Sequence, residues 1–168
     1  MTETPPRKLA DVEWRGWQAK DRATLVFVIR GGRVLLIRKK RGLGAGKINA
    51  PGGRLESGET SQQCAVREVQ EEVCITPTGL RHAGEHRFQF VDGYSIHVQV
   101  FVASGFTGES VETDEAVPMW VALDAIPYDE MWEDDRLWIP HLLSNSWFTG
   151  RFLFDGDRML DHVLEVAG

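Results

Sequence analysis

The stretch from residue 39 to residue 77 constrains this chain more than any other. Glycines at 42, 44, 46, 52 and 53, together with Pro51, forbid a regular element over residues 39–54 and predict a shaped loop. Behind it the pattern predicts a helix over residues 59–73, with Glu59 near its start and Ala65, Val66, Val69 and Val73 recurring at helical spacing. Pro77 prevents that helix from running much further. At about 100° per residue, Glu68, Glu71 and Glu72 fall within an arc of roughly 100° beside the apolar stripe. Like charges at i, i+3 and i+4 repel by a few tenths of a kcal/mol per pair in an isolated helix, so interleaved lysines would serve a stable helix better. Two readings follow. The glutamates form a solvated acidic face, or they gather around a cation, for which Mg²⁺ is the natural candidate because it takes hard oxygen ligands and completes its octahedron with water and phosphate oxygens. Arg67 can reach Glu59 or Glu71, either to hold a carboxylate in position or as an ordinary i,i+4 surface pair.

Elsewhere the chain alternates strands and turns. Residues 23–29 and 34–37 are β-rich and flank Gly31-Gly32, a hairpin signal, and Asp92-Gly93 and Asp155-Gly156 mark two more hairpins, within residues 88–102 and 151–166. Met119-Trp120-Val121 reads as a further strand and residues 135–143 as a second helix. The order strands, helix, strands, helix, strands favours an α+β fold, a mixed α/β/α sandwich, over a doubly wound one. Residues 1–22, with Pro5, Pro6, Trp14 and Trp17 and no clean period, read as an N-terminal extension ahead of one domain over residues 23–168.

Composition narrows the class. An apolar fraction of 42% with 26% charged residues over 168 residues is ordinary for one soluble globular domain. A formal net charge of −6 argues against stable, sequence-blind binding of a nucleic-acid polymer, which needs a basic face. Cys64 and Cys74 lie ten residues apart on the predicted helix, about 15 Å at 1.5 Å per residue, too far to bridge. Reduced thiols, no apolar run of signal length and no candidate membrane span lead to the expectation of a cytoplasmic protein.

From Gly53 the spacing is Gly, five residues, Glu59, seven residues, then Arg67-Glu68-Val69-Gln70-Glu71-Glu72-Val73-Cys74-Ile75. This resembles the Nudix box, G-x5-E-x7-R-E-U-x-E-E-x-G-U with U apolar, at every specified position except Cys74, where glycine is usual. A cysteine there must either tolerate a left-handed turn or leave the helix differently. The likeness extends over about residues 24–166 and is nearest to the MutT-homologue branch that hydrolyses oxidised purine nucleoside triphosphates, through residues 34–46, 111–120 and 126–140. It implies a Nudix α/β/α sandwich with a mixed sheet, and attack of water at the β-phosphorus to give a nucleoside monophosphate and pyrophosphate. Position by position, it implies Mg²⁺ (with Mn²⁺ as a substitute) held by Glu68, Glu71, Glu72 and the Gly52 carbonyl, with Glu115 arriving from a distant loop as a further ligand or base and Arg67 supporting the carboxylates. It also implies Lys39 facing the phosphates and Thr24 at the substrate.

Base recognition is assigned by the same resemblance to Asn49, Trp132, Asp134 and Asp135. Trp132 offers a stacking face, and two buried aspartates sharing one proton present a donor and an acceptor to a purine edge. Trp132 as core and the aspartates as a helix N-cap are the structural alternatives. Phe88, alternating with Phe90 on one strand face, reads as core or as pocket wall. Leu43, Ile48, Pro51 and Ile96 depart from the branch's usual residues, which implies a reshaped base pocket. The partner expected is a small-molecule nucleoside triphosphate, with the chain monomeric and off membranes. The competing readings are a Nudix hydrolase of a nucleotide sugar, a dinucleoside polyphosphate or an RNA 5′-triphosphate end, and a non-catalytic nucleotide sensor; a sensor would be expected to have lost box carboxylates, and none is lost.

Overall fold

The computed structural model describes residues 4–167. Its strands are β1 (Asp21–Arg30), β2 (Arg33–Lys39), β3 (Ile48–Asn49), β4 (Gly52–Arg54), β5 (Thr76–Phe90), β6 (Ser95–Thr107), β7 (Ala116–Ala122), β8 (Trp147–Asp155) and β9 (Arg158–Ala167); its helices are α1 (Ser61–Val73) and α2 (Asp135–Leu143). All nine strands join one sheet in the order β3-β2-β1-β6-β5-β8-β9, with β4 pairing β1 and β7 pairing β2. The β1–β6 and β5–β8 pairs are parallel and the others antiparallel, so the sheet is mixed.

Alternation along β1 sends Val26 and Val28 to one face and Phe27 to the other. On the first face Ala65, Val69 and Val73 of α1 pack with Val26, Val28, Leu35, Ile37, Phe101 and Ala103. On the second, Trp138, Ile139 and Leu142 of α2 pack with Phe27, Leu36, Val100, Phe148, Phe152 and Phe154. A sheet carrying one helix on each face is the expected α/β/α sandwich.

The segment expected to be wholly loop, residues 39–54, contains β3 and β4. Ile48-Asn49 pairs with β2 and residues 52–54 with β1, so tertiary pairing overrides the local glycine signal. Helix α1 begins two residues later than read, because Thr60 caps it. The Thr60 hydroxyl accepts from the Gln63 N–H at 3.1 Å and the Gln63 side chain accepts from the Thr60 N–H at 3.0 Å. At the exit Cys74 adopts the left-handed conformation, with φ 67°. Residues 9–20 lie against the sheet, through Leu9 on Asp161 and Trp17 on Gln89, with Trp14 and Trp17 5.5 Å apart. Among the described residues both cysteines are free, and no helix is long and apolar enough to cross a membrane.

Candidate active site

Helix α1 positions its carboxylates because the apolar stripe fixes its rotation against the sheet. Glu72, adjoining that stripe, is only 3% exposed, and its Oε1 accepts the Gly52 N–H at 2.8 Å. Burial is the main reason its carboxyl is pushed up to about 8; the Glu68 and Glu115 charges add to this, while the Gly52 N–H and Lys39 oppose it. Burial also raises Glu68. Glycine at 53 has a steric cause, since a Cβ there would collide with the Glu68 carboxylate.

Arg67 organises the rest. Its Nε and Nη2 donate to the two Glu59 oxygens at 2.6 and 2.9 Å, its Nη1 to Glu68 at 2.8 Å and Glu71 at 3.1 Å, and its Nη2 also to the Arg54 carbonyl at 3.0 Å. All five guanidinium N–H donors are thereby accounted for. The fork on Glu59 holds that carboxyl down at about 2. Both partners foreseen for Arg67 are bonded, and Glu68 is added.

Glu115 stands just before β7 and pairs with Arg41 at 3.1 Å. Its loop is tied to α1 by Thr113, whose hydroxyl donates to the Glu72 carbonyl at 2.7 Å and accepts the Glu115 N–H at 3.2 Å. Neither the Thr113 bonds nor the Arg41–Glu115 pair was foreseen, because no spacing rule links residues 41 and 74 positions apart.

Carboxylate oxygens and a nearby backbone carbonyl are the donor chemistry of a hard divalent cation, and the upward pressure on Glu72 and Glu68 is what such a cation would relieve. Among the described residues no three acidic, histidine or cysteine side chains converge into an ion cage. Glu68 and Glu71 turn to Arg67, and Glu115 turns to Arg41.

One cavity of about 1000 Å³ opens beside Glu72 and Gly52 and runs to α2. Thr24, Lys39, Asn49, Phe88, Trp132, Asp134 and Asp135 all line it, whereas Arg67, Glu68, Glu71 and Glu115 lie outside its walls. Thr24 is buried beside Cys64, at 3.4 Å. The Lys39 ammonium donates to the Leu43 carbonyl at 2.9 Å. Phe88 has both of its expected roles, stacking on Phe152 at 5.0 Å while forming cavity wall.

Trp132 sets its indole edge against Gly44, stands T-shaped to Phe90 and Phe154, and lies beneath the Lys47 ammonium at 5.4 Å. Asp134 and Asp135 are 2% and 5% exposed, and burial raises both carboxyls. The N-cap alternative fails for Asp134, which sits in helical backbone, makes no side-chain cap, and accepts the Trp138 indole N–H at 2.8 Å. Of the four departures from the branch pattern, Leu43 and Ile96 line the cavity, and Ile48 and Pro51, both buried, are not among its walls. The reshaping inferred from Ile48 and Pro51 is therefore not local to the pocket wall.

Comparison with known proteins gives the family and the fold. The family model described as NUDIX domain matches residues 19–142. An oxidized purine nucleoside triphosphate hydrolase of Danio rerio is 44% identical over 144 residues, covering 84% of this chain and 92% of the relative. Its Mus musculus counterpart is 41% identical over 143 residues with the same coverage. A solved structure of the MutT protein from Bacillus halodurans superposes with a TM-score of 0.77 at 27% identity, covering 86% of this chain and 97% of that one.

Proposed function

From the premise that the chain belongs to the NUDIX family, and is a Nudix hydrolase closely related to the oxidized purine nucleoside triphosphate hydrolases, we propose that it converts purine nucleoside triphosphates with an oxidised base into the monophosphate and pyrophosphate. The observation that carries this reading is the single cavity joining Glu72 and Gly52 to Trp132, Asp134 and Asp135. A purine base enters at the α2 end and the triphosphate extends towards α1. Trp132 supplies a stacking face. The buried aspartate pair, sharing one proton, offers a donor and an acceptor to the purine edge, with Asn49 lining the same cavity. Lys39 faces the phosphates, and Thr24 contributes to the wall at the substrate.

Nudix hydrolases generally use divalent metal ions, and Mg²⁺, with Mn²⁺ as substitute, is the ion proposed here. Held by Glu68, Glu71, Glu72, the Gly52 carbonyl and Glu115, it would neutralise phosphate charge and lower the pKa of water. The chain's own part is positioning. Arg67 holds Glu68 and Glu71, and the Gly52 N–H holds Glu72. Thr113 ties the Glu115 loop to the helix. The working unit is a cytoplasmic monomer whose residues 23–168 carry the activity on a small-molecule substrate, without a nucleic-acid polymer.

The test is incubation with Mg²⁺ and a panel of ordinary and oxidised (d)NTPs, nucleotide sugars, dinucleoside polyphosphates and 5′-triphosphate RNA, with products identified by chromatography. Pyrophosphate and a monophosphate formed fastest from an oxidised purine triphosphate are expected. Faster turnover of a nucleotide sugar, a dinucleoside polyphosphate or the RNA would replace the substrate reading, and no turnover of any panel member would favour a sensor.

A further inference from the structure

The base end of the cavity has one wall made by the β5–β6 hairpin, through Phe90, Tyr94 and Ile96. That hairpin is held from the opposite face of the sheet by residues 9–20, none of which lines the cavity. The Trp17 indole N–H donates to the Gln89 Oε1 at 2.9 Å. The Gln89 amide N–H₂ in turn donates to the Phe90 carbonyl at 3.0 Å and the Tyr94 carbonyl at 3.1 Å, the two residues flanking the turn. An indole N–H can only donate, so it obliges the carboxamide to present its oxygen to Trp17 and its nitrogen to the hairpin. Lys20 adds an N–H bond to the buried Ser95 hydroxyl at 3.0 Å, and the next residue, Asp21, accepts the Tyr94 hydroxyl at 2.8 Å.

The segment is anchored independently of these bonds. The Leu9 N–H donates to Asp161 on β9 at 2.8 Å, the Trp14 indole donates to the Leu9 carbonyl at 3.0 Å, and the Arg151 guanidinium lies 5.3 Å from the Trp14 ring centre. On the cavity side, the Phe90 ring meets Trp132 edge-on at 6.3 Å. A continuous line of contacts therefore runs from Trp17 through Gln89 and Phe90 to Trp132, the stacking face of the reading above.

We propose that residues 9–20 form a strap that sets the base end of the cavity, with Trp17 and Gln89 as positioning residues for purine binding. This rests on the proposed purine triphosphate substrate. Releasing Gln89 lets the hairpin wall and the Trp132 face drift together, which weakens base binding while leaving the α1 carboxylates in place.

The experiment compares the full chain with Trp17→Phe, which keeps the ring and loses the donor, and Gln89→Glu, which still accepts from Trp17 but cannot donate to the hairpin. Arg81→Gln is the control, losing an exposed side-chain hydrogen bond from β5 to Asn145 that belongs neither to the strap nor to the hairpin turn. The first two should raise KM for the best triphosphate by roughly three- to tenfold, the scale of one partly buried hydrogen bond, with kcat within about twofold. Arg81→Gln should leave KM unchanged. Unchanged KM in Trp17→Phe and Gln89→Glu, or an equal rise in Arg81→Gln, overturns the strap. In wild-type protein, saturating 8-oxo-dGMP should slow amide hydrogen exchange in residues 14–20 as well as in 90–95; protection confined to 90–95 overturns it independently of any variant's folding. A wild-type chain that turns over no triphosphate overturns the functional reading and the strap together, whereas an active wild type with unmoved variants overturns the strap alone.

Discussion

Glu72→Gln separates the electrostatic cost of the site from its chemistry. In the folded chain burial lifts the Glu72 carboxyl from an ordinary 4.5 to about 8. Between those values the folded protein keeps a proton that the unfolded chain has released, so this group makes stability fall as pH rises, with the full loss reached above about 8. The size is on the order of 3–5 kcal/mol across that window. Glutamine is neutral throughout and its carbonyl can still accept the Gly52 N–H. The metal-free variant should therefore match wild type near pH 5 and exceed it near pH 8 by a few kcal/mol, roughly 6–20 °C in Tm for a domain of this size. Calorimetry or urea unfolding in chelator, from pH 5 to 8.5, measures the gap. Millimolar Mg²⁺ should narrow it by favouring the ionised wild-type carboxylate, and kcat of Glu72→Gln should fall by at least about 10²-fold. Parallel stability curves for the two proteins would refute the claim that Glu72 is buried against its own charge.

Arg67→Lys replaces five directed donors by one ammonium, and should lower kcat by about 10²-fold and raise the Mg²⁺ concentration needed for half-maximal rate, with near-normal kinetics counting against the hub. Cys74→Gly relieves a left-handed residue worth about 1–2 kcal/mol but adds unfolded-chain entropy, so a net gain of roughly 0.5–1 kcal/mol by urea titration is expected with unchanged kcat; a loss of stability would show the turn is unstrained. His86 is fully buried against Trp138, Phe148 and Phe152, with neither ring nitrogen hydrogen-bonded among the described residues, and burial holds its pKa down at about 3. The unfolded imidazole protonates near 6.5 and the folded one does not, so stability drops as pH falls from about 6.5 towards 3. His86→Leu should flatten this acid limb and stabilise the neutral-pH protein by about 1–3 kcal/mol, and an unchanged acid-unfolding midpoint would exclude the role.

What the sequence made legible was local in origin. The box is readable because one helix carries Arg67, Glu68, Glu71 and Glu72, and helical spacing alone puts them on one side. Helix α2 was bounded at residues 135–143 as observed, and the three hairpins announced themselves by glycine turns. The hidden parts are those made by remote pairing. Nothing near Thr113 signals its bonds to Glu72 and Glu115, and nothing near Gln89 signals Trp17. A glycine-rich segment pairs as β3 and β4 because β1 and β2 offer edges to it. Asp134 beside a helix start invites the N-cap reading, and only the approach of Trp138, one turn along the helix, shows where its oxygen points.

The two halves of the site meet at the pairing of β1 with β4. Gly52 gives its N–H to Glu72, and a side chain at Gly52 would collide with the Thr24 carbonyl, while Thr24 and Gly52 both face the cavity. Towards α1 the neighbours are carboxylates fixed by Arg67; towards α2 they are Trp132 and the aspartate pair, framed by a hairpin. On the proposed function, substitutions in the hairpin should act on the choice of base and those on α1 on turnover, and a change at Gly52 should strike both. On that proposal Leu43 and Ile96 can depart from the branch pattern in the cavity wall while the residues of the box that carry charge all remain.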